Sequence, residues 1–230
     1  MARKARPGDK AHAHHDHPHA GPDPHAPVAL HEPAPEYLHL EQAIRELLIA
    51  KGIIAADELR RQIELMDARG PAIGARLVAR AWVDPKFKKL LLSDCQAATK
   101  AMGIDTVGMP QVMVLENTPR LHHLVVCTLC SCYPKSILGI PPAWYKSTAY
   151  RARGVKDPRG VLKEFGTELP EDVEVRVMDS TADLRYLVMP MRPAGSERMS
   201  ERDLARLVTR DSMIGVSPAL PPGRAAAAAE

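Results

Sequence analysis

Residues 122–132, HHLVVCTLCSC, contain a predicted β-strand that is followed directly by three of the chain's four cysteines. The apolar, β-branched end of this stretch favours a strand. The cysteines that follow are separated by two residues and then by one. Disulfide loops this small would be too strained to staple a fold, so the thiols are expected to be metal ligands instead. The fourth cysteine, Cys95, is predicted to be a small buried residue on a helix.

Three further strands are predicted around this one. VMVLE begins at Val112, VEVRVM occupies residues 173–178, and RYLVMP begins at Arg185 and is expected to pair with VEVRVM. Helix start signals stand at Asp157 and Ser200. Residues 103–216 are therefore predicted to form an α+β catalytic domain with layers in the order α-β-β-α, which carries the metal.

Residues 37–102 show helical periodicity instead. Leu40, Ile44 and Leu47 recur at helical spacing, and Asp84 is predicted to cap a later helix. The helices of this segment are short, so it is expected to pack on a partner subunit or on the rest of the chain.

Both ends are predicted to be disordered tails, at residues 1–36 and 217–230. The first is rich in His, Pro, Ala and Asp and lacks hydrophobic periodicity, and the second contains an alanine run. Imidazoles in the first tail could hold divalent metal weakly, or the tail could simply be solvated. These histidines include His12, His14, His15, His17 and His19.

The overall composition limits the classes of partner. The chain has 31 Lys plus Arg against 28 Asp plus Glu, a formal charge of +3, which does not indicate a nucleic-acid or anionic-membrane surface. No apolar run approaches the roughly 20 residues of a membrane-spanning helix, and no secretory signal is evident. We expect a cytoplasmic protein without nucleic-acid or membrane partners.

Zinc is the first metal that a C-x-x-C spacing suggests. Structural zinc usually takes four ligands in two spaced pairs, and no second pair follows here. His122 or His123 could complete a set, although neighbouring residues on a strand point to opposite faces. A zinc site thus remains one alternative.

A second arrangement uses the backbone as well. Deprotonated amide nitrogens of Ser131 and Cys132, together with the thiolates of Cys127, Cys130 and Cys132, would give one ion three sulfur and two nitrogen donors. Such donors suit low-spin trivalent cobalt or iron. The sixth octahedral position would stay open, and an open Lewis-acidic site activates water or polarises a bound ligand.

Several stretches resemble the alpha subunit of nitrile hydratase, over roughly residues 38–216. They are VVCTLCSCYP (125–134), LGIPPAWYKSTAYRARGVKDPRGVLKEFG (138–166), LRYLVMPMRPAGSE (184–197) and LVTRDSMIGV (207–216). Thr128, between the first two cysteines, matches the cobalt-type motif, since iron-type enzymes typically carry serine there. The resemblance implies one Co(III) per chain, with Fe(III) as the alternative.

The resemblance also implies the roles of single residues. Cys127, Cys130 and Cys132 would be the sulfur ligands, and Ser131 and Cys132 the amide-nitrogen ligands. Cys130 would be oxidised to sulfinic acid and Cys132 to sulfenic acid. The implied reaction hydrates a nitrile to an amide, with attack by a hydroxide on the metal or by the Cys132 sulfenate oxygen, and Cys130 and Cys132 as catalytic residues.

The family also implies partners. A beta subunit, as one chain or two smaller chains, would complete a hetero-oligomer such as α2β2, and an activator or metallochaperone would assist maturation. The small-molecule substrate would be a nitrile.

One departure from the family concerns the substrate. The motif usually continues CYPWP, but this chain has Lys135 and Ser136, which is similar to the gamma subunit of thiocyanate hydrolase, a relative that converts thiocyanate to carbonyl sulfide and ammonia. Lys135 would favour an anion or a polar nitrile, or would point to solvent. Lys135, Ser136 and Trp144 are the candidate pocket residues, although Trp144 could simply be packing. A non-catalytic metal carrier or zinc module is the third hypothesis.

Overall fold

Five helices open the part of the chain described by a computed structural model, which covers residues 26, 28, 36–105 and 110–224. These are α1 (Glu36–Ala50), α2 (Ala56–Asp67), α3 (Pro71–Val83), α4 (Pro85–Ser93) and α5 (Cys95–Ala101). Asp84 caps α4 as predicted, because its carboxylate accepts the N–H groups of Lys86 and Phe87 at 2.9 and 3.1 Å. No helix within these residues is long and apolar enough to cross a membrane.

The first five helices divide into two groups. Leu77 of α3 and Leu91 of α4 are fully buried in the core that also contains the sheets. The boundary expected near residue 102 therefore does not separate two cores. In contrast, α1, α2 and the turn between them leave large apolar side chains exposed, namely Leu38, Leu40, Ile44, Leu47, Ile53, Ile63 and Met66.

Four strands follow, close to their predicted positions: β1 (Gln111–Glu116), β2 (Leu121–Val126), β3 (Glu174–Asp179) and β4 (Leu184–Met189). They form two parallel pairs, β1 with β4 and β2 with β3. The expected pairing of β3 with β4 is wrong. The chain crosses from one sheet to the other between these strands, so that β4 packs against β2 and both bury their apolar ends.

The sheets lie between helices. On one side α4 and α5 pack on β1, and on the other α8 (Thr148–Lys156) packs on β2 and α9 (Pro158–Glu164) on β3. The predicted α+β fold with α-β-β-α layers is confirmed. The remaining helices are α6 (Lys135–Leu138), α7 (Ala143–Lys146), α10 (Glu201–Ala205) and α11 (Arg210–Ile214), with a 3₁₀ turn at Pro222–Arg224.

The structure describes parts of both segments that were predicted to be disordered tails. The prediction for residues 217–230 is wrong for 217–224, because Ala219 is buried and the Leu220 N–H donates to the Leu207 carbonyl at 2.8 Å. At the other end, Ala26 and Val28 make hydrogen bonds to α8 and α9, so they do not belong to a disordered tail. The other residues of 1–35, and 225–230, lie outside the described residues.

Gly215 ends α11 where the backbone has no room for a side chain. Its φ is +90°, and a Cβ would lie 1.9 Å from the His123 carbonyl oxygen. Gly215→Ala is expected to lower the free energy of unfolding by about 2–5 kcal/mol, because left-handed strain and a backbone clash add together. The control is Gly166→Ala, at φ +76° with nothing within 4 Å, which should lose only about 1–2 kcal/mol. If urea denaturation shows that both variants lose the same free energy of unfolding, the clash at Gly215 is contradicted.

Candidate metal centre

The loop Cys127–Cys132, called here the cysteine loop, follows β2 directly and gathers its three thiols. The Sγ atoms of Cys127 and Cys130 are 3.6 Å apart, and those of Cys130 and Cys132 are 3.2 Å apart. All three sulfurs lie within 4.8 Å of one another. Within residues 36–105 and 110–224, no other group of three His, Cys, Asp or Glu side chains could hold a metal ion.

These distances fit sulfur ligands of one ion. With metal–sulfur bonds of about 2.3 Å, two sulfurs are about 3.3 Å apart at a right angle and about 3.8 Å apart in a tetrahedron. The separation of 3.2 Å between Cys130 and Cys132 matches the right angle, and 3.6 Å between Cys127 and Cys130 lies between the two cases. The backbone N–H of Cys130 donates to the Cys127 sulfur at 3.3 Å, so the backbone of the cysteine loop also packs against the thiols.

The two histidines before the loop are engaged elsewhere. His122 Nε2 is 2.6 Å from the Gly215 carbonyl oxygen, and its Nδ1 is 3.2 Å from the Asn117 side-chain amide. The backbone N–H of His123 donates to Asn117 Oδ1 at 2.8 Å. Burial lowers the pKa of both imidazoles. Neither histidine joins the thiol group, so the idea that one of them completes a zinc set is wrong.

Residues distant in sequence hold the cysteine loop. Asp179, the last residue of β3, accepts the Thr128 N–H at 2.9 Å and the Thr128 hydroxyl at 2.6 Å. Arg151 of α8 donates to the carbonyls of Thr128 and Leu129 at 3.0 and 3.2 Å. The Tyr145 hydroxyl donates to the Cys132 carbonyl at 2.8 Å. These supports were not found from the sequence, because no local pattern marks them.

The environment gives the thiols of Cys130 and Cys132 different pKa values. Hydrogen bonds from the Cys132 and Cys127 thiols, and from the backbone, lower the pKa of Cys130 to about 7. Burial, followed by the interaction with Cys130, raises the pKa of Cys132 to about 12, and the positive charge of Arg185 opposes this shift. Among these two thiols, Cys130 is the one that ionises first.

A cavity of about 410 Å³ opens beside the cysteine loop. Cys130, Ser131 and Cys132 line it, together with the predicted pocket residues Lys135 and Ser136. Two arginines that the sequence did not single out, Arg69 and Arg185, also line it. Lys135, Arg69 and Arg185 make the lining cationic, since no carboxylate from the described part of the chain contributes to it.

Trp144, the third predicted pocket residue, does not line this cavity. It is buried in α7, with its ring centroid 4.9 Å from that of Tyr150 and 4.7 Å from that of Phe165, both edge to face. Its role in the structure is core packing, which the sequence left as the alternative.

Thiol reactivity provides a first check on this geometry. In the reduced, metal-free chain at pH 7, iodoacetamide is expected to modify Cys130 first, because its thiol is exposed. Cys95 should react last, only on unfolding, because it is 3% exposed and burial raises its pKa to about 12. Peptide mass spectrometry over a time course measures the order. Early labelling of Cys95 would contradict its burial in the hydrophobic core, where α5 places it.

Comparison with known proteins agrees with this centre. A family model, nitrile hydratase, alpha chain, matches residues 36–217. The low-molecular weight cobalt-containing nitrile hydratase subunit alpha of Rhodococcus rhodochrous is 52% identical over 185 residues, which cover 80% of this chain and 89% of that protein. The thiocyanate hydrolase subunit gamma of Thiobacillus thioparus is 46% identical over 202 residues, 83% of each chain.

The fold leads to the same group of proteins. A double mutant of the Fe-type nitrile hydratase from Comamonas testosteroni Ni1 superposes with a TM-score of 0.75 at 41% identity, covering 83% of this chain and 94% of that chain. A family match over most of the chain, and relatives near half identity, lead to one conclusion. The chain belongs to the nitrile hydratase alpha chain family.

Proposed function

We propose that this chain is the metal-binding alpha subunit of a cobalt nitrile hydratase, which hydrates a nitrile to the corresponding amide. The observation that carries the proposal is the gathering of three thiols within 4.8 Å beside a cavity of about 410 Å³. The identity of 52% to a cobalt-containing alpha subunit supports both the reaction and the metal.

One Co(III) per chain is the proposed cofactor, with Fe(III) as the alternative. Cys127, Cys130 and Cys132 would hold it through sulfur, and Ser131 and Cys132 through their amide nitrogens. When bound, it would supply a Lewis-acidic position for the nitrile or for water. Cys130 would carry sulfinic acid and Cys132 sulfenic acid, and these two are the proposed catalytic residues.

The protein's own contribution is to position and shield this centre. Asp179 and Arg151 hold the first half of the cysteine loop, and Tyr145 holds the carbonyl of Cys132. Cys127 is fully buried and Cys132 is 9% exposed, whereas Cys130 is exposed and lines the cavity. A sulfenic acid at Cys132 would be protected by this burial.

A beta-type subunit, as one chain or two smaller chains, would complete the enzyme in a hetero-oligomer such as α2β2. The exposed apolar side chains of α1 and α2 support this, because uncovered apolar surface of this extent marks an interface. An activator or metallochaperone during maturation, and a cytoplasmic location without nucleic-acid or membrane partners, belong to the same proposal.

Hydrolysis of thiocyanate is the second candidate function. The cationic lining of Arg69, Lys135 and Arg185 favours it, because positive charge without a nearby carboxylate attracts an anion. The 46% identity to a thiocyanate hydrolase gamma subunit also supports it.

Substrate and metal measurements separate the candidates. The purified complex is given an aliphatic nitrile, an aromatic nitrile and thiocyanate. Amide formation supports the first proposal, and carbonyl sulfide and ammonia from thiocyanate without nitrile turnover would overturn it. Cobalt with a mass gain of three oxygen atoms on the cysteine loop excludes a carrier or zinc module, whereas zinc in a thiolate site without activity would support one.

Lys135 provides a test of the charge in the cavity. Lys135→Gln is expected to raise the KM for thiocyanate by about 5-fold to 10-fold, because it removes one positive charge near an anion at intermediate dielectric. The KM for an uncharged nitrile should change by less than about twofold. Lys146→Gln is the control, since Lys146 is exposed and does not line the cavity. Equal effects on charged and uncharged substrates would contradict an electrostatic role.

A further inference from the structure

Two cations of the cavity beside the cysteine loop come from neighbouring stretches of backbone. Arg69 lies in the loop between α2 and α3, and Lys135 is the first residue of α6. The Gly139 N–H donates to the Lys135 carbonyl at 2.9 Å and so closes the single turn of α6. A Cβ at Gly139 would lie 2.6 Å from the Arg69 carbonyl oxygen and 3.1 Å from the Gly70 Cα. The loop that carries Arg69 therefore packs against the end of the helix that carries Lys135.

Gly139 is the residue that permits this packing. Its φ is +73°, a left-handed value that glycine adopts readily, and any side chain there would meet the backbone of Arg69. Arg69 and Lys135 both line the cavity, together with Cys130 and Ser131. The contact at Gly139 thus fixes where the Arg69 side chain begins relative to Lys135.

Neither cation has a carboxylate partner within the described part of the chain. The salt bridges found there include neither Arg69 nor Lys135, and no carboxylate from these residues lines the cavity. Arg69 is half-buried, and charges that leave water are normally paired. Two unpaired cations in one cavity therefore favour an anionic ligand.

Arg185 of β4 is a cavity cation whose charge acts on the thiols. Burial raises the pKa of the Cys132 thiol, and the positive charge of Arg185 opposes this shift. The Arg185 Nε and Nη1 atoms are buried without a hydrogen-bond partner among the described residues. Arg185 can thus balance the negative charge of ligating thiolates, which leaves Arg69 and Lys135 available to a bound anion.

The cavity has room for more than thiocyanate. Water takes about 30 Å³ per molecule in the liquid, so the three heavy atoms of thiocyanate would fill only about a quarter of the cavity. Its volume is about 410 Å³. A guanidinium presents its N–H groups in a planar fork that matches the two oxygens of a carboxylate. An organic acid that also carries a nitrile group would use both the volume and the charge.

We propose that Arg69 and Lys135 form a carboxylate-binding site, and that the nitrile hydrated at this centre carries a carboxylate. The nitrile group lies at the cysteine loop, and the carboxylate lies between the two cations. Their task is to bind and orient the substrate, because neither takes part in the bond changes. The identity of the reacting group rests on the proposed function, but the carboxylate site does not.

The first experiment measures binding without turnover. Calorimetry on the purified complex compares succinamate with succinamide, the amide products of an acidic nitrile and of its uncharged analogue. Succinamate is expected to bind about tenfold more tightly, and Arg69→Gln should remove most of this difference, because a charge-assisted hydrogen bond is lost. Arg60→Gln is the matched control, since Arg60 is exposed on α2 and does not line the cavity. Equal binding of both ligands to the wild type would overturn the proposal.

The second experiment measures substrate preference as the ratio of kcat/KM for β-cyanopropionate to that for β-cyanopropionamide. The wild-type ratio is expected to be about ten, and it should fall towards one in Arg69→Gln. Gly139→Ala should lower the ratio as well, because its Cβ displaces the Arg69 backbone. Gly103→Ala is the control for strain alone, since its φ is +69° and nothing lies within 4 Å. A wild-type ratio of one, or a higher kcat/KM for thiocyanate than for β-cyanopropionate, would overturn the proposal.

The two experiments distinguish this proposal from the proposed function. Succinamate binding that depends on Arg69 supports the carboxylate site even if the complex hydrates no nitrile, and in that case the proposed function fails alone. Hydration of both nitriles without preference for the acid overturns the carboxylate site and leaves the proposed function intact. Circular dichroism verifies the fold of each variant. If Gly139→Ala does not fold, the comparison of Arg69→Gln with Arg60→Gln decides.

Discussion

Replacement of Cys127 by serine is expected to leave the chain without cobalt and to lower nitrile turnover by more than about 100-fold. The Cys127 thiol is fully buried, lies 3.6 Å from the Cys130 sulfur and accepts the Cys130 N–H at 3.3 Å. A serine oxygen is a hard donor that keeps its proton at neutral pH, and it forms shorter bonds. It would therefore give a low-spin trivalent ion neither the charge nor the ligand field of a thiolate.

The measurement is cobalt per chain, together with the sulfur-to-cobalt absorption and turnover. Cys95→Ala is the matched control, because Cys95 is equally a buried cysteine but lies outside the thiol cluster. The control should keep full cobalt occupancy and lose only about 1 kcal/mol of the free energy of unfolding. Full occupancy with unchanged absorption in Cys127→Ser would show that Cys127 is not a ligand.

The sequence predicts local features of this fold well. The strands around Val112, His122 and Arg185 lie within one residue of their predicted starts, because alternation and β-branched residues act locally. Their pairing was not predictable in the same way. Periodicity shows which face of a strand is apolar, but which strand lies beside it depends on contacts that are distant in sequence. β3 therefore pairs with β2, not with its neighbour β4.

For the candidate site, too, the sequence predicts the local features and not the contacts between residues distant in sequence. The spacing of six residues predicts three thiols as metal ligands, and the structure brings these thiols together. Asp179 and Arg151 could not be identified, because they are 51 and 23 residues away from the Thr128 atoms that they hold. Arg69 reaches the cavity from the loop between α2 and α3, and Arg185 reaches it from β4, so the cationic lining becomes visible only in the fold.

Asp179 is expected to control how firmly the cysteine loop retains its metal. Asp179→Ala should raise the rate of cobalt loss to a chelator by about 10-fold to 100-fold, the usual range for residues that orient metal ligands. Its two oxygens hold the N–H and the hydroxyl of Thr128, at 2.9 and 2.6 Å. β3 places it there by register, because Asp179 lies opposite Val126, the residue before Cys127. Without the carboxylate, the loop between Cys127 and Cys130 loses that support from β3.

A series of variants separates the two hydrogen bonds. Thr128→Ser keeps both and should retain cobalt like the wild type, whereas Thr128→Val keeps only the backbone bond and should lose cobalt at an intermediate rate. Asp183→Ala is the control, since Asp183 is an exposed aspartate in the turn after β3 that makes no contact with Thr128. The fastest loss is expected for Asp179→Ala because it removes both bonds. Equal retention by all four variants would mean that the thiols and amides alone fix the loop, and that β3 contributes nothing to it.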